Sequence, residues 1–284
     1  MALCSAVAFG TLPILAKLAY QEGFAPAQLL SWRFLFATAG MTILAATAGA
    51  RPWRIALRKF ALLLLLGALF YGGQSFLFFT ALIWLPAGFV SLVLYTYPAI
   101  VVLAGWLLLA RRLQRRLAAA VAGSLVGIAL LSGGLTAGPS FALPLALAIP
   151  VAYAAYLIAA EHVMRGEQAL AASAVVMAGA ALFWLAAALL RNEFVPPSGD
   201  RAWLVLAIFA IVPSMIAIPM LLSALRRIGS ERVALLSTCE PVVTVLLAAF
   251  LLGERLGWLQ CLGAALVLGA MLLVYWPGRA ASLR

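Results

Sequence analysis

Residues 224–256 read ALRRIGSERVALLSTCEPVVTVLLAAFLLGERL, and residues 81–113, 143 positions earlier, read ALIWLPAGFVSLVLYTYPAIVVLAGWLLLARRL. The two stretches align without a gap: Ala81 falls on Ala224, Val90 on Val233, Pro98 on Pro241 and Arg112 on Arg255. A further slip of three residues brings Gly123 onto Gly263. Coincident leucines and valines carry little weight in so apolar a sequence. Paired prolines at a constant offset carry more. The chain therefore reads as a duplication, with a first repeat over 1–137 and a second over 138–284.

What surrounds the repeated stretch is equally apolar. Of 284 residues 67% are hydrophobic and only 10% are charged, with a mean hydropathy of +1.14. A soluble domain is about half apolar and a quarter charged. A soluble enzyme is excluded on that ground, and so is a disordered chain, which needs the opposite composition. Cys4, Cys239 and Cys261 lie inside apolar runs, where they act as small hydrophobes rather than as a disulfide framework. A net charge of +11 would point to nucleic acid in a soluble protein. Here the basic residues sit in short segments between apolar runs, so membrane topology accounts for them and no nucleic-acid partner is expected.

A helix needs about 20 apolar residues to cross a hydrocarbon core about 30 Å thick. Ten such runs are legible, at 2–20, 26–48, 60–83, 86–109, 117–135, 141–163, 168–190, 203–225, 231–252 and 257–276. They lack the two-residue alternation of a membrane barrel, so the expected fold is an all-α polytopic bundle of ten transmembrane helices. The first run has no basic residue before it and reads as a retained helix rather than a signal peptide. With the N-terminus in the cytoplasm, fourteen basic residues fall inside: Arg51, Arg54, Arg58, Lys59, Arg111, Arg112, Arg115, Arg116, Arg165, Arg226, Arg227, Arg232, Arg279 and Arg284. Only Arg191, Arg201 and Arg255 fall outside. The positive-inside rule then places both termini in the cytoplasm. Five spans per repeat is an odd number, so the second copy enters the membrane upside down. Inverted repeats are the architecture of many secondary transporters, with substrate held near the midplane between the halves. The charges agree: RRLQRR at 111–116 follows the fourth span on the inside, and GERLG at 253–257 takes its place on the outside.

Several segments resemble the EamA family of the drug/metabolite transporter superfamily. They are ALRRIG before the ninth span, Glu240-Pro241 within it, LLGERL after it and Gly263-Ala264-Ala265 in the tenth. AFGTLPILAK, LLSWRF and TYPAIV in the first half are similar but weaker. The resemblance covers essentially the whole chain and implies two five-helix repeats and the export of amino acids or other small metabolites. One departure stands at Ala110-Arg111-Arg112, where the family often has Gly-Glu-Arg.

Among residues that could carry transport, Glu240 stands foremost, nine residues into its span. A carboxylate at that depth costs about 2.5–3.5 kcal/mol on insertion scales and should face a cavity or a partner. On a continuous helix Ser237, Glu240 and Thr244 share a face. Glu240 can bind a substrate ammonium, exchange a proton, or simply hydrogen-bond across helices. Its repeat mate is Tyr97, beside Tyr95; Tyr71 and Gln74 offer further polar groups in span three, and Tyr153 and Tyr156 in span six. Aromatics with a few polar groups suit a small amphipathic solute, although tyrosines also simply fill bundle cores. Lys17 can snorkel outward or line the external mouth. Arg33, seven residues into span two, is too deep to snorkel and needs an acidic or carbonyl partner. Pro13, Pro98, Pro150 and Pro241 mark candidate hinges. Gly123-x-x-x-Gly127 permits close helix approach, by default within one chain, so the expected state is a monomer or a weak dimer.

No nucleotide-binding loop, metal cluster or cofactor motif is legible, and the lone His162 beside Glu161 gives an enzyme nothing to work with. The expectation is a secondary transporter with a lipid bilayer and a small-molecule substrate as partners, and a proton as a second one. Amino acids or related amphipathic compounds lead as substrates. Cationic amines and drugs are the alternative, and a channel is the competing class. The abundance of Ala, and of Arg over Lys, suggests a bacterial inner membrane.

Overall fold

The computed structural model describes residues 1–84, 90, 93–108, 115–131, 143–252 and 257–275. Among these the regular structure is helical, with no strand. Arg111, Arg112, Arg255, the two C-terminal arginines, the GERL motif, the boundary between the repeats and the side chain of Lys17 lie outside the described residues.

Six described runs are long and apolar enough to cross a membrane: Ala2–Gln21, Pro26–Thr47, Leu57–Ala81, Pro144–Val163, Ala169–Leu190 and Asp200–Ser237. Helices are what such runs must form, because hydrocarbon offers backbone N–H and C=O groups no other partner. Tyr97–Leu108, Arg115–Leu131, Cys239–Leu252 and Trp258–Tyr275 are helices too. The run Asp200–Ser237 holds the expected eighth span and the start of the ninth. Gly229, at φ 78° and ψ 167°, divides them, and only glycine occupies that backbone region without strain. The Glu161 carboxylate accepts the next N–H, that of Ser230, at 2.9 Å.

Several helices are interrupted in mid-course. The first pauses at Thr11, whose hydroxyl donates to Ala8 O at 2.7 Å, and restarts with Pro13 in its first turn. Turns at Tyr95-Thr96 and at Thr238 precede helices that begin Tyr97-Pro98 and Cys239-Glu240-Pro241. A proline in a first turn forfeits an N–H that has no intrahelical partner anyway. Pro150, by contrast, lies inside the continuous helix Leu143–Val163. Two π-helical segments, Leu66–Gly72 and Ile211–Ile216, widen their helices.

The most extensive contacts join Pro26–Thr47 to Ala169–Leu190, and Arg115–Leu131 to Trp258–Tyr275. Glycines allow the closest crossings. A Cβ at Gly67 would strike Val176 O, and one at Gly179 would strike Leu64 O, so these two helices interlock in both directions. A Cβ at Gly127 would come within 2.7 Å of Gly263 O, so the small-residue motif packs inside one chain. Leu103, Leu107, Leu108, Leu190 and Phe250 are exposed on the outer, apolar surface.

Candidate functional site

The interruptions surround a cavity. Its lining comprises Phe9, Leu12, Pro13, Arg33, Tyr71, Gln74, Ser75, Phe78, Phe79, Leu94, Tyr95, Tyr153 and Glu240. The wall runs from Tyr71 near the middle of its helix to Phe78 and Phe79, towards the end that carries Trp84. Arg33, Tyr71, Gln74, Tyr95, Tyr153 and Glu240, expected from the sequence, are thus brought together although they come from four separate helical runs and the turn at Tyr95.

Arg33 is the best-held of them. It is 1% exposed. Its Nε donates to Ser214 Oγ at 2.8 Å and one Nη to Pro213 O at 3.4 Å. Both acceptors belong to the π segment Ile211–Ile216. The guanidinium lies over the rings of Phe34 and Phe209, 4.8 and 4.7 Å from their centroids. Rings on that scale attract a desolvated cation by about 2 kcal/mol. Ser75, next to Gln74, donates to Gly72 O at 2.8 Å and accepts from Trp184 Nε1 at 2.8 Å.

Glu240 occupies another wall, in the first turn of Cys239–Leu252. It is 6% exposed, and its Oε1 is buried with no hydrogen-bond partner. An unpaired carboxyl oxygen in such a place is costly to keep. Thr244 follows Glu240 by one turn and is not part of the cavity lining. The helix stops at Ser237 and restarts at Cys239, so Ser237 is not on a continuous helical face with Glu240 and Thr244, which stay one turn apart on the same helix. The Thr244 hydroxyl instead lies 2.8 Å from Gly10 O and 3.1 Å from Glu240 O, tying the first helix to the base of Glu240.

Beneath the cavity lies a run of aromatic rings. Tyr71 packs on Phe34 at 5.6 Å and on Tyr156 at 5.3 Å; Tyr156 stacks on Tyr153 at 6.0 Å, and Tyr153 meets Tyr97 edge-on at 4.6 Å. Tyr97 and Tyr156 are fully buried below the lining, where Tyr97 donates to Ala234 O at 3.2 Å and the Tyr156 hydroxyl has no partner. Ser237 is buried there as well. Beyond this floor, Lys59 pairs with Glu167 at 3.0 Å and donates to Arg165 O at 2.8 Å. At the opposite end Arg201 pairs with Glu22 at 2.9 Å. Trp32 stacks on Phe194 at 4.9 Å and donates to Val195 O at 2.8 Å.

Sequence reasoning missed the apolar lining, Phe9, Leu12, Phe78, Phe79 and Leu94, and the cradle of Arg33. In the cradle only Pro213 gave a signal, as a proline within a span. No group of three His, Cys, Asp or Glu capable of holding a metal occurs among the described residues.

The arrangement is that of a multi-pass membrane protein with a buried amphipathic cavity, and the comparisons with known proteins are consistent with it. The sequence model of the EamA-like transporter family matches residues 1–133 and 140–276. The chain belongs to that family, and its general role is transport. It is 29% identical over 232 residues to a Salmonella typhimurium protein named "Probable amino-acid metabolite efflux pump", the match covering 76% of this chain and 78% of that one. It is 31% identical over 116 residues to the Bacillus subtilis "Uncharacterized transporter YcbK". That match covers 39% of this chain and 37% of the relative's length. A solved crystal structure shares the fold with a TM-score of 0.83 at 21% identity, over 99% of this chain and 97% of that one.

Proposed function

We propose that the protein is a secondary active carrier that exports amino acids or related amphipathic metabolites by alternating access, with Glu240 as the coupling carboxylate. One observation carries the reading: a cavity at mid-depth, walled by segments of both halves of the chain, in which Glu240 keeps an unpaired oxygen. A group that alternately holds a proton and a substrate must be buried, so that neither leaks, and unsatisfied, so that each is worth binding. The relative named as an amino-acid metabolite efflux pump supports the substrate class.

The alternation would come from ten helices in two inverted repeats, 1–137 and 138–284. Helix positions support this. Pro26–Thr47 and Ala169–Leu190 are both 22 residues long and begin 143 positions apart, as do Arg115–Leu131 and Trp258–Tyr275. The π segments fall at nearly the same offset, which puts Tyr71 and Ser214, both of them polar neighbours of Arg33, in equivalent places. With both termini in the cytoplasm of a bacterial inner membrane, the cavity faces outward and the ring floor closes the inward path.

The test is counterflow in proteoliposomes loaded with unlabelled amino acids, alongside uptake driven by an imposed pH gradient. The expected result is saturable counterflow by wild type, and by Glu240→Gln the loss of gradient-driven accumulation with counterflow weakened but still measurable. Gradient-driven transport that survives in Glu240→Gln would remove Glu240 from coupling. Flux without counterflow would point to a channel.

A further inference from the structure

We propose that Arg33 and Glu240 are the two poles of one substrate site, Arg33 receiving a carboxylate and Glu240 an ammonium, so that the carrier selects amino acids with both groups free. This rests on the carrier reading above and specifies how it chooses its cargo.

Arg33 is a cation without a counter-ion among the described residues. No carboxylate stands within 4.0 Å of it among the described residues, and its polar partners are the Ser214 and Tyr71 hydroxyls and a backbone carbonyl. Neutral acceptors orient a guanidinium without cancelling its charge, and they use only part of its five donors. The Phe34 and Phe209 rings hold its plane, as a recognition group requires and a snorkelling one does not. Glu240 has the complementary deficit in the same cavity, an oxygen with no donor. The two do not satisfy each other, since they form no ion pair; Tyr71, Gln74 and Tyr153 complete the wall they share.

A buried guanidinium and a buried carboxyl group that share a cavity without pairing select strongly. A ligand carrying both groups relieves both deficits. An amine lacking the carboxylate leaves Arg33 uncompensated and adds like charge beside it, and an N-acylated acid leaves Glu240 facing a neutral amide. A site built around polar groups rejects an analogue lacking the matching group far more sharply than an apolar pocket rejects a change of size. The apolar part of the wall, Phe9 and Phe78 among it, is left for an aliphatic or aromatic side chain.

The experiment uses full-length protein in proteoliposomes. It follows counterflow of the amino acid that exchanges best, in competition with its decarboxylated amine and its N-acetyl derivative. Both analogues should compete at least tenfold more weakly than the parent. Arg33→Gln should lower amino-acid exchange at least tenfold and abolish discrimination against the amine, and Arg33→Lys should restore part of it. Arg33 is also packed into the fold, so the wild-type competition series decides by itself: an amine or acetylated acid that competes as well as the parent overturns the two-pole site while the carrier reading stands. Absence of counterflow with every amino acid overturns the carrier reading, and this inference with it.

Discussion

At the residue scale, polar side chains near the cavity divide into those that face it and those that hold its frame. Thr244 holds the frame. Its bond to Gly10 O fixes the first helix against the base of Glu240, where a Cβ on Gly10 would already lie within 2.7 Å of Val243. Thr244→Val keeps the shape and removes the donor. It should cost about 1 kcal/mol of stability and leave counterflow in place, checked by the thermal midpoint in detergent and by the exchange assay. The sequence distinguished Glu240 because a carboxylate in mid-span is expensive wherever it stands. It grouped Ser237, Glu240 and Thr244 by a spacing rule that presumes an unbroken helix; Thr238 breaks the helix between Ser237 and Glu240, whereas Glu240 and Thr244 keep their spacing of one turn on the same helix. The depth of Arg33 in its span calls for a partner. That the partners would be Ser214 and Pro213 depended on a tertiary contact with no local signature.

At the element scale, helix contacts turn on where backbones can touch. The two glycines of the motif in Arg115–Leu131 are equivalent in sequence and unequal in place. A Cβ on Gly123 would rest 3.6 Å from the Ala270 Cβ, ordinary contact, whereas one on Gly127 would press within 2.7 Å of Gly263 O. Gly123→Ala should therefore hold or raise the thermal midpoint, since alanine gains about 1 kcal/mol of helix propensity. Gly127→Ala should lower it as the helix is forced away from Trp258–Tyr275. Equal effects in the two variants would contradict this packing. The helix breaks were partly legible: Pro98 and Pro241 stand at restarts and Pro13 follows one, because a proline is tolerated in a first turn. Pro150 rides within a continuous helix, so proline alone did not tell a break from a bend. The π segments carry no residue pattern of their own, and nothing in the sequence announced them.

On the scale of the whole molecule, hydropathy and charge carried most of the reading. A bilayer imposes length and apolarity on every segment that crosses it, and that demand is written residue by residue. Which apolar residues face the cavity is not so written. Lipid is as apolar as a leucine, so Phe78 on the cavity wall and Leu103 on the outer surface obey the same rule. The orientation proposed from charge makes a direct prediction. In a protein freed of its three cysteines, single cysteines at the exposed positions Arg54 and Arg165 should be protected from an impermeant thiol reagent applied outside the inner membrane. One at Arg191 should react. The reverse pattern would invert the topology.

The cradle of Arg33 also bears on how the protein is made. Its acceptors lie 181 and 180 residues further along the chain. When span two leaves the ribosome, Ser214 and Pro213 have not yet been synthesised, and an unpaired arginine at that depth opposes insertion by about 2.5–3.5 kcal/mol. The apolar residues around it must carry that cost until span eight emerges with the two acceptors. Final assembly of the first half thus waits on the second, and a chain cut short before that point would expose to the quality-control machinery the same charge that the finished protein hides.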